Sequence, residues 1–511
     1  MIKHAFDGMP FMHRFELSAE RQAVRYNARN LSRTFERQLV EERAKSAVFF
    51  GHVQDLSMWD RCIATVRRFR EILFASHVKS DPSSAMVGVT ATPNFPMPQQ
   101  WLEQSQGTNG EYHLVSKTDL NLLQQVHANT LEPKRLYTYG DYDERLSGDL
   151  AASHHQYDPV TEETFNYSIK LGPMPKLTVF SVSRSGQVSI LAEITHRRLP
   201  SGAAGTRIRP SYIHSFMLTQ NHVIIPEYPL YYHGADILIS GSAVGSYVWD
   251  EQSPTYFHVI SRRQDIGHIV TIPADSFFSF HNCNAWDSVD ENGDPVITLD
   301  TCAFSNADVI YQLHSFGTYL RGPHQQQQKP SINQTRPKGM NTPPIRQPSF
   351  GDLRRYQLTW NRDVSTASAS YTTIARNIEF ARFSQHYALR QYQFAWACQL
   401  LKPKTEKEAE RYILVKIDLN TGTTTAYNEP RYSCSEPIFI PKSINGNEDD
   451  GAVVSLVNVI GAHGPEEDSS FLLILDAHTM EETARCTIGP YNISTFHGSY
   501  IDSDFQNVSI N

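Results

Sequence analysis

The chain has 511 residues, of which 40% are hydrophobic and 11% aromatic, and its formal net charge is −8. Such a composition can bury a large core, and it lacks the basic excess expected of a nucleic-acid-binding protein. Six cysteines without CxxC spacing favour free thiols over a disulfide scaffold. The sequence shows no signal peptide and no apolar run long enough to cross a bilayer, so we expect a cytoplasmic protein that does not span a membrane.

The first predicted element is an amphipathic helix over residues 57–76. Its arginines lie mostly away from one apolar face. That face holds Trp59, Cys62, Ile63, Val66, Phe69 and Leu73. The pattern is typical of a helix that lies on a membrane surface, and a helix that packs on the protein through the same face would show it as well.

The rest of the chain is predicted to be mostly short strands. Runs rich in Val, Ile, Tyr, Phe and Thr alternate with turns that contain Gly, Pro, Asn and Asp. Examples are KLTVFSV, QVSILAEI, DILIS, YFHVIS, GHIVTIP and PVITLDTCAF. This pattern predicts an all-β fold.

Four histidines, far apart in the sequence, lie beside aromatic or β-prone residues. They are His154, His214, His281 and His497. Imidazole is the commonest neutral metal ligand, and ligands from separate strands leave no short signature of the zinc-finger or HExxH kind. Each histidine taken alone is better explained as a hydrogen-bonded strand residue than as a ligand.

Nine segments in order along the chain resemble the carotenoid cleavage oxygenase family. They are HAFDG (4–8), SHHQYDPVTEE (153–163), HSFMLTQNHVIIPEYPL (214–230), FSFHNCNAWD (278–287), IEFAR (378–382), SEPIFIPKS (435–443), EDDGAVVSLV (448–457), FLLILDAHTMEETARC (471–486) and FHGSY (496–500). Within the family, the chain is most similar to the branch that holds central-cleaving β-carotene dioxygenases and the retinal pigment epithelium isomerohydrolase.

The resemblance implies a seven-bladed β-propeller, formed as one domain over residues 1–511, with a helical and loop cap over the metal-centre face. Relatives carry a further segment ahead of HAFDG that helps to close the ring, and this segment is expected to be missing here. The four histidines and two of the glutamates named below recur at intervals of 60, 67, 98, 57 and 61 residues, a step that suits one blade. The longest interval contains residues 322–349, whose Gln and Pro content predicts a flexible surface insertion.

The resemblance also implies that the four histidines bind Fe(II) and that carboxylates support them from behind. His154 matches the ligand position better than His155, which stands where relatives have proline. Glu379 and Glu436 match supporting glutamates. Asp119 replaces the third one, and because its side chain is shorter, it is expected to reach its histidine through water.

The implied activity is that of a non-haem Fe(II) dioxygenase. It would use O2 to cleave a conjugated double bond of a carotenoid such as β-carotene, giving apocarotenoid aldehydes such as retinal. The expected partners are O2, the hydrophobic polyene and, peripherally, a membrane surface, but no nucleic acid. Relatives that act on stilbenes, apocarotenoids or retinoids, and an inactive lipid-binding propeller, are the alternatives.

Two further expectations concern the substrate. Aromatic residues near the ligands are predicted to line an apolar tunnel: Phe277, Phe278, Phe280, Trp286 and Phe496. In stilbene-cleaving relatives, a lysine directly before the supporting acid pairs with a phenolic oxygen, and an upstream tyrosine assists. Here Thr118 precedes Asp119, Lys117 is predicted to face the other way, and Phe50 occupies the aromatic position, so we expect a preference for carotenoids.

Overall fold

A computed structural model of the chain describes residues 4–18, 20–41, 45–51, 54, 56–73, 81–104, 112–312, 350–361, 365–402, 411–443, 446–461, 465–493, 495–502 and 508–509. The predicted insertion, residues 322–349, lies outside them. Short 3-10 helices connect the main elements at Ala5–Asp7, Tyr139–Asp141, Glu144–Leu146, Val244–Ser246, Gln385–Tyr387 and Pro465–Glu467.

The N-terminal part combines a hairpin, three helices and a four-stranded sheet. The elements are β1 (Phe11–Ser18), β2 (Ala23–Asn30), α1 (Arg33–Val40), α2 (Met58–Leu73), β3 (Thr90–Pro93), α3 (Gln99–Gln104), β4 (His113–Lys117), β5 (Leu123–His127) and β6 (Pro133–Tyr137). The helix predicted over residues 57–76 is α2. Its start is encoded locally, because the Ser57 hydroxyl accepts the Asp60 N–H at 3.1 Å and donates to the Asp60 carboxylate at 2.8 Å.

The middle part contains two further sheets and two small hairpins. Its elements are β7 (Leu150–Ala151), β8 (Gln156–Asp158), β9 (Glu163–Lys170), β10 (Lys176–Val182), β11 (Val188–Ile194), β12 (His196–Arg198), β13 (Ala204–Arg207), β14 (Met217–Leu218), β15 (His222–Glu227), β16 (Leu230–Tyr232), α4 (Gly234–Ser240), β17 (Tyr247–Trp249), β18 (Thr255–Ser261) and β19 (His268–Ala274). Strands β7 to β11 form one sheet, and β14, β15, β18 and β19 form the next.

The C-terminal part contains the longest sheet. Its elements are β20 (Asn282–Val289), β21 (Pro295–Ala303), α5 (Val309–Gln312), β22 (Gly351–Asn361), β23 (Thr366–Arg382), β24 (Phe394–Leu401), β25 (Arg411–Asp418), β26 (Thr424–Tyr427), β27 (Tyr432–Cys434), β28 (Ile438–Pro441), β29 (Gly451–Val459), β30 (Ser469–Asp476), β31 (Glu482–Gly489), β32 (Tyr500–Ile501) and β33 (Val508–Ser509). Strands β20 to β26 pair in chain order, and β27 to β31 form the last large sheet.

Successive antiparallel sheets made from consecutive strands are the arrangement of propeller blades. In the longest sheet, β23 pairs with β22 up to Ile378 and with β24 from Ile378 to Arg382. It therefore serves as the outer strand of one blade and the inner strand of the next. Positive φ angles at Asn377 (56°) and Phe380 (57°) mark the irregular backbone at this change of partner. The predicted all-β class is confirmed.

The first strand of several sheets is interrupted near a predicted site residue. Strands β7 and β8 both pair with β9, and His154 lies between them. Strands β27 and β28 both pair with β29, and Glu436 lies between them. An interruption frees the backbone locally, so a side chain can turn from the blade toward a common centre.

One predicted strand is wrong. The DILIS segment forms most of helix α4, which packs against α2. The helix ends at Gly241, in a left-handed conformation with φ of 68°, and a Cβ atom there would lie 2.3 Å from the Arg68 guanidinium. That guanidinium donates to the Leu238 carbonyl oxygen at 3.0 Å and so caps the helix C-terminus. A tertiary contact overrides the β propensity of Ile and Leu here.

Candidate metal centre

The four predicted histidines converge on one point. One nitrogen from each of His154, His214, His281 and His497 lies within 4.8 Å of the others. The Nε2 atoms of His154 and His214 are 3.1 Å apart, and those of His281 and His497 are 3.2 Å apart. Two nitrogens bound at about 2.1 Å to one ion lie about 3 Å apart when they subtend a right angle at it. The donor set therefore fits a single transition-metal ion.

Carboxylates determine which nitrogen faces the centre. The Nδ1 atoms of three histidines lie against Asp119, Glu379 and Glu436, so each Nδ1 carries the proton that it donates. The Nε2 atoms then present lone pairs. Those of His281 and His497 face each other at 3.2 Å with lone pairs that repel, and a cation between them removes this repulsion. The observed short distances are those of a ligand set.

Asp119 supports His214 directly. Its carboxylate lies 2.9 Å from the His214 Nδ1 and also accepts hydrogen bonds from the hydroxyls of Ser153 (2.7 Å) and Tyr212 (2.8 Å). Burial raises the pKa of Asp119, but the His214 imidazole and these donors outweigh it and hold the pKa below its usual value. The expected water-mediated contact is therefore wrong, because the backbone between β4 and β5 brings the shorter acid close enough.

The two glutamates support the remaining pair of histidines. Glu379 lies 2.6 Å from the His281 Nδ1, and Glu436 lies 3.4 Å from the His497 Nδ1. Burial raises the pKa of Glu436, but the nearby Arg382 and His497 lower it to about 2. Its carboxylate is thus held ionised and can accept a hydrogen bond from the imidazole N–H.

His155 is not part of the cluster. Its Nδ1 lies 2.8 Å from the Lys117 amine, which also contacts the Thr92 hydroxyl. Lys117 is 1% exposed, and burial lowers its pKa well below the usual range. Of the two adjacent histidines, the structure therefore turns His154 toward the centre and His155 toward a separate buried polar cluster.

An aromatic wall covers one side of the histidine cluster. We define the wall as Phe6, Phe50, Tyr212, Phe280 and Phe496. The Phe6 ring is parallel to the His214 ring, with an interplanar angle of 3° and a centroid distance of 6.2 Å. Phe6 also contacts the rings of Phe50 (5.0 Å), Phe280 (5.6 Å) and Phe496 (5.3 Å), and Phe50 lies 5.5 Å from Tyr212.

The HAFDG segment positions two members of this wall. The Asp7 carboxylate accepts hydrogen bonds from the backbone N–H groups of Phe50 (2.6 Å) and Gly51 (2.9 Å). His4 hydrogen-bonds to the Ile310 carbonyl at 3.0 Å. These contacts explain why Phe6 and Phe50 meet. Sequence reasoning singled out the motif but missed Phe6 and Tyr212, since neither aromatic carries a ligand signature.

The predicted tunnel residues divide into two groups. Phe280 and Phe496 belong to the aromatic wall, and Phe278 adjoins it at 4.8 Å from Phe280. The prediction is wrong for the other two. Phe277 packs in the core at 5.1 Å from Tyr356, and Trp286 packs on Tyr392 at 5.9 Å. Phe277 lies in the segment between β19 and β20, and the sequence does not distinguish its core position from a wall position.

A cavity of about 490 Å³ lies on another side of the cluster, and the imidazoles of His154 and His281 form part of its lining. The lining is made largely by residues that follow the ligands along the inner strands. They include Gln156, Tyr157, Met217, Asn282, Asn284 and Phe439. We call this space the axial channel. Glu162 and Arg184, which line it as an ion pair of 2.9 Å, have side chains that are 49% and 75% exposed, so the channel opens to solvent there.

Acidification should destabilise the metal-free protein. Burial lowers the pKa of His281 to about 4, whereas an unfolded chain takes up this proton near pH 6.5. Stability is therefore fully present above pH 6.5 and falls as the pH drops toward 4, by at most about 1.4 kcal/mol per pH unit for each such group. We expect the urea midpoint to fall between pH 7 and pH 5, and to fall less in His281→Gln. An equal decline in the variant would contradict this assignment.

Comparisons with known proteins identify the family of the chain. The family model described as retinal pigment epithelial membrane protein matches residues 1–502. Torulene dioxygenase of Gibberella fujikuroi is 26% identical over 529 residues, with 98% of this chain and 84% of that protein covered. The human mitochondrial carotenoid-cleaving dioxygenase is 24% identical over 531 residues, with coverage of 98% and 82%.

Solved structures show the same fold. A mutant of Synechocystis apocarotenoid oxygenase superposes with a TM-score of 0.68 at 18% identity, covering 100% of this chain and 89% of that one. Lignostilbene dioxygenase of Pseudomonas brassicacearum superposes with a TM-score of 0.64 at 19% identity, covering 96% of this chain and 86% of that one. The predicted propeller class is confirmed by these matches, and the class of protein is an oxidative cleavage enzyme, a dioxygenase. The chain belongs to the retinal pigment epithelial membrane protein family, which includes the carotenoid cleavage dioxygenases, and the predicted family is confirmed.

Proposed function

We propose that the protein is an Fe(II)-dependent dioxygenase that cleaves one conjugated double bond of a carotenoid, β-carotene or a related polyene such as torulene, into apocarotenoid aldehydes that include retinal. One observation carries the proposal. Four imidazoles converge beneath a wall of aromatic rings, so a metal and an apolar substrate would meet at one place.

Fe(II) suits this ligand set better than the common structural ions. Four neutral nitrogen ligands leave the ion its full charge, and an octahedral ion keeps two positions for other ligands, whereas zinc tends to close its shell at four. Mg²⁺ and Ca²⁺ prefer oxygen ligands. Bound at His154, His214, His281 and His497, iron would supply the redox chemistry of the reaction between O2 and the double bond.

The protein residues contribute position and environment. Asp119, Glu379 and Glu436 hold three imidazoles in fixed orientations with their Nε2 atoms inward. The aromatic wall offers a polyene a large apolar contact surface and keeps water away from it. Tyr212 is the wall residue with a hydroxyl, and this hydroxyl donates a hydrogen bond to the Asp119 carboxylate. The wall thus presents rings to a substrate.

Product identification tests the function directly. The iron-loaded protein should be incubated with a carotenoid panel that includes β-carotene and torulene, under air enriched in ¹⁸O₂ and under argon. We expect paired aldehyde products, labelled by the heavy oxygen, only in the aerobic sample. Absence of cleavage for every carotenoid, in a preparation with verified iron content, would refute the proposal.

We further propose that the enzyme reaches its substrate through peripheral contact of α2 with a membrane. The helix packs on the protein through Ala64 and Arg68, which are both buried. On its outer side, Trp59 is 75% and Val66 67% exposed, and Ile63 is also exposed. The side chains of Phe69 and Leu73 are outside the part of the chain that the structure describes. No helix among the described residues is long and apolar enough to cross a bilayer.

This orientation argues against the alternative in which the apolar face packs on the protein. Exposing a tryptophan and several aliphatic side chains to water is unfavourable unless another apolar phase covers them. Exposed Arg61 and Arg67 stand on the same helix, where each can attract anionic lipid by about 1 kcal/mol. Helix α4, in contact with α2, adds the exposed side chain of Ile239.

Charge substitutions should therefore release the protein from vesicles. We expect Trp59→Glu combined with Val66→Glu to lower sedimentation with phosphatidylserine-containing liposomes at least tenfold and to slow cleavage of liposome-borne carotenoid. Cleavage of detergent-dispersed carotenoid should remain. Val160→Glu, at a residue that is 88% exposed in the turn after β8, is the matched control and should bind like the wild type. Equal binding of the double variant would contradict the membrane role of α2.

A further inference from the structure

The histidine cluster has two chemically different approaches. On one side, the aromatic wall brings the rings of Phe6 and Phe280 to within 6.2 Å and 5.6 Å of the His214 ring. On the other, the axial channel leads from His154 and His281 to the solvent-exposed pair of Glu162 and Arg184. The residues that precede the ligands supply much of the wall, and the residues that follow them line the channel.

The channel has a mixed lining that can replace water around an ion. The polar residues that line it include Gln156, Asn282, Tyr157 and Glu162. Asn282, next to the ligand His281, donates to the Ser215 hydroxyl at 2.7 Å. Carboxylate, hydroxyl and amide oxygen atoms can exchange with the hydration shell of a divalent ion in steps, so the ion is never left bare.

The aromatic wall offers no such exchange. Transfer of a charged ion into apolar surroundings is strongly unfavourable by Born solvation, and ring faces do not replace the lost hydration shell. A polyene has the opposite preference, since its transfer from water to the wall is favourable. Electrostatic self-energy therefore separates the path of the ion from the path of the substrate.

We propose that the axial channel is the route by which the hydrated divalent metal ion enters and leaves the histidine cluster, separate from the aromatic side on which substrate binds. This inference rests on the proposed metal centre. It assigns a function to the channel residues themselves. The mouth residues and the small side chain of Ala388, which lines the channel and is half-buried, control passage of the ion without contacting it once it is bound.

The test compares the rates of metal exchange with the affinity for the metal. Ala388→Trp and, independently, Gln385→Trp place a large side chain in the channel and narrow it. Ala388→Ser is the control, because it changes the same residue but keeps the side chain small. Under argon, each Fe(II)-loaded protein is mixed with an excess of a colour-forming Fe(II) chelator to measure release. Each metal-free protein is then mixed with Fe(II) to measure uptake, and equilibrium titration gives the affinity.

We expect both tryptophan variants to slow release and uptake by the same factor, at least tenfold, with unchanged affinity and with Ala388→Ser like the wild type. A narrowed channel slows metal release and metal uptake by the same factor and leaves the affinity unchanged. Damage to the ligand set changes the affinity. Wild-type rates in a folded tryptophan variant, judged by circular dichroism, would overturn the route. A change in affinity without matched changes in both rates would overturn it too.

A second arm needs no substitution. In the wild type, saturation with a non-cleaved polyene analogue should leave the rate of iron release within about twofold of its value without the analogue, because the analogue occupies the aromatic side. Strong protection from the chelator would show a shared path and overturn the inference. Failure of the wild type to take up Fe(II) at all would instead refute the proposed metal centre, so the two failures are distinguishable.

Discussion

Replacing His214 with alanine is expected to remove most of the bound metal and all detectable cleavage. A site of four imidazoles has no spare ligand, and the loss of one also leaves its half-buried partner Asp119 with one hydrogen bond fewer. Metal content by inductively coupled plasma mass spectrometry and product formation by chromatography measure the two effects. We expect metal content to fall at least tenfold.

The matched control is His155→Gln. His155 is equally buried and adjacent to a ligand in sequence, but its Nδ1 faces Lys117. This variant should retain the metal content of the wild type. A rigorously metal-free preparation that still cleaves carotenoid would show that the histidine cluster is not a catalytic metal centre. Metal loss in His155→Gln equal to that in His214→Ala would show that ligand identity is not what the first variant measures.

Carotenoids are expected to be cleaved at least ten times faster than hydroxystilbenes. The aromatic wall offers Phe50, which has no hydroxyl to bond a phenol. The Lys117 amine contacts Thr92 and His155, which line the axial channel and not the wall. A phenolic oxygen placed against the wall would lose its hydrogen bonds to water without replacement, at a cost of several kcal/mol. A hydrocarbon polyene has no such group.

Initial rates for β-carotene, torulene and resveratrol should be compared at equal concentration and equal iron content. Phe50→Tyr is the informative variant, because it adds one hydroxyl where a phenol could reach it. We expect this variant to cleave resveratrol faster than the wild type does, and so to lower the ratio of the β-carotene rate to the resveratrol rate. Faster cleavage of resveratrol than of β-carotene by the wild type would refute the substrate class and leave the fold and the histidine cluster unaffected.

Local sequence signals were sufficient where neighbouring residues decide the structure. The apolar period of residues 57–76 predicted helix α2, and the alternation of β-prone runs with turns predicted an all-β chain. The family resemblance named the four histidines as candidates. In each case the deciding information lies in a residue type, a spacing or a motif of a few neighbours.

Tertiary structure decided the features that depend on distant partners. His214 meets Asp119 95 residues earlier, and this pairing turned an expected water bridge into a direct contact. Contacts with α2 made DILIS a helix against its β propensity, and the same packing leaves Trp59, Ile63 and Val66 of α2 exposed.

Tertiary packing also decided that His154, and not His155, faces the centre. It likewise buried Phe277 away from the aromatic wall. Residue type and spacing set which side chains alternate along a strand. Only the packing of one blade against the next determines which side meets the centre, because that choice depends on the free energy of contacts between residues far apart in the chain.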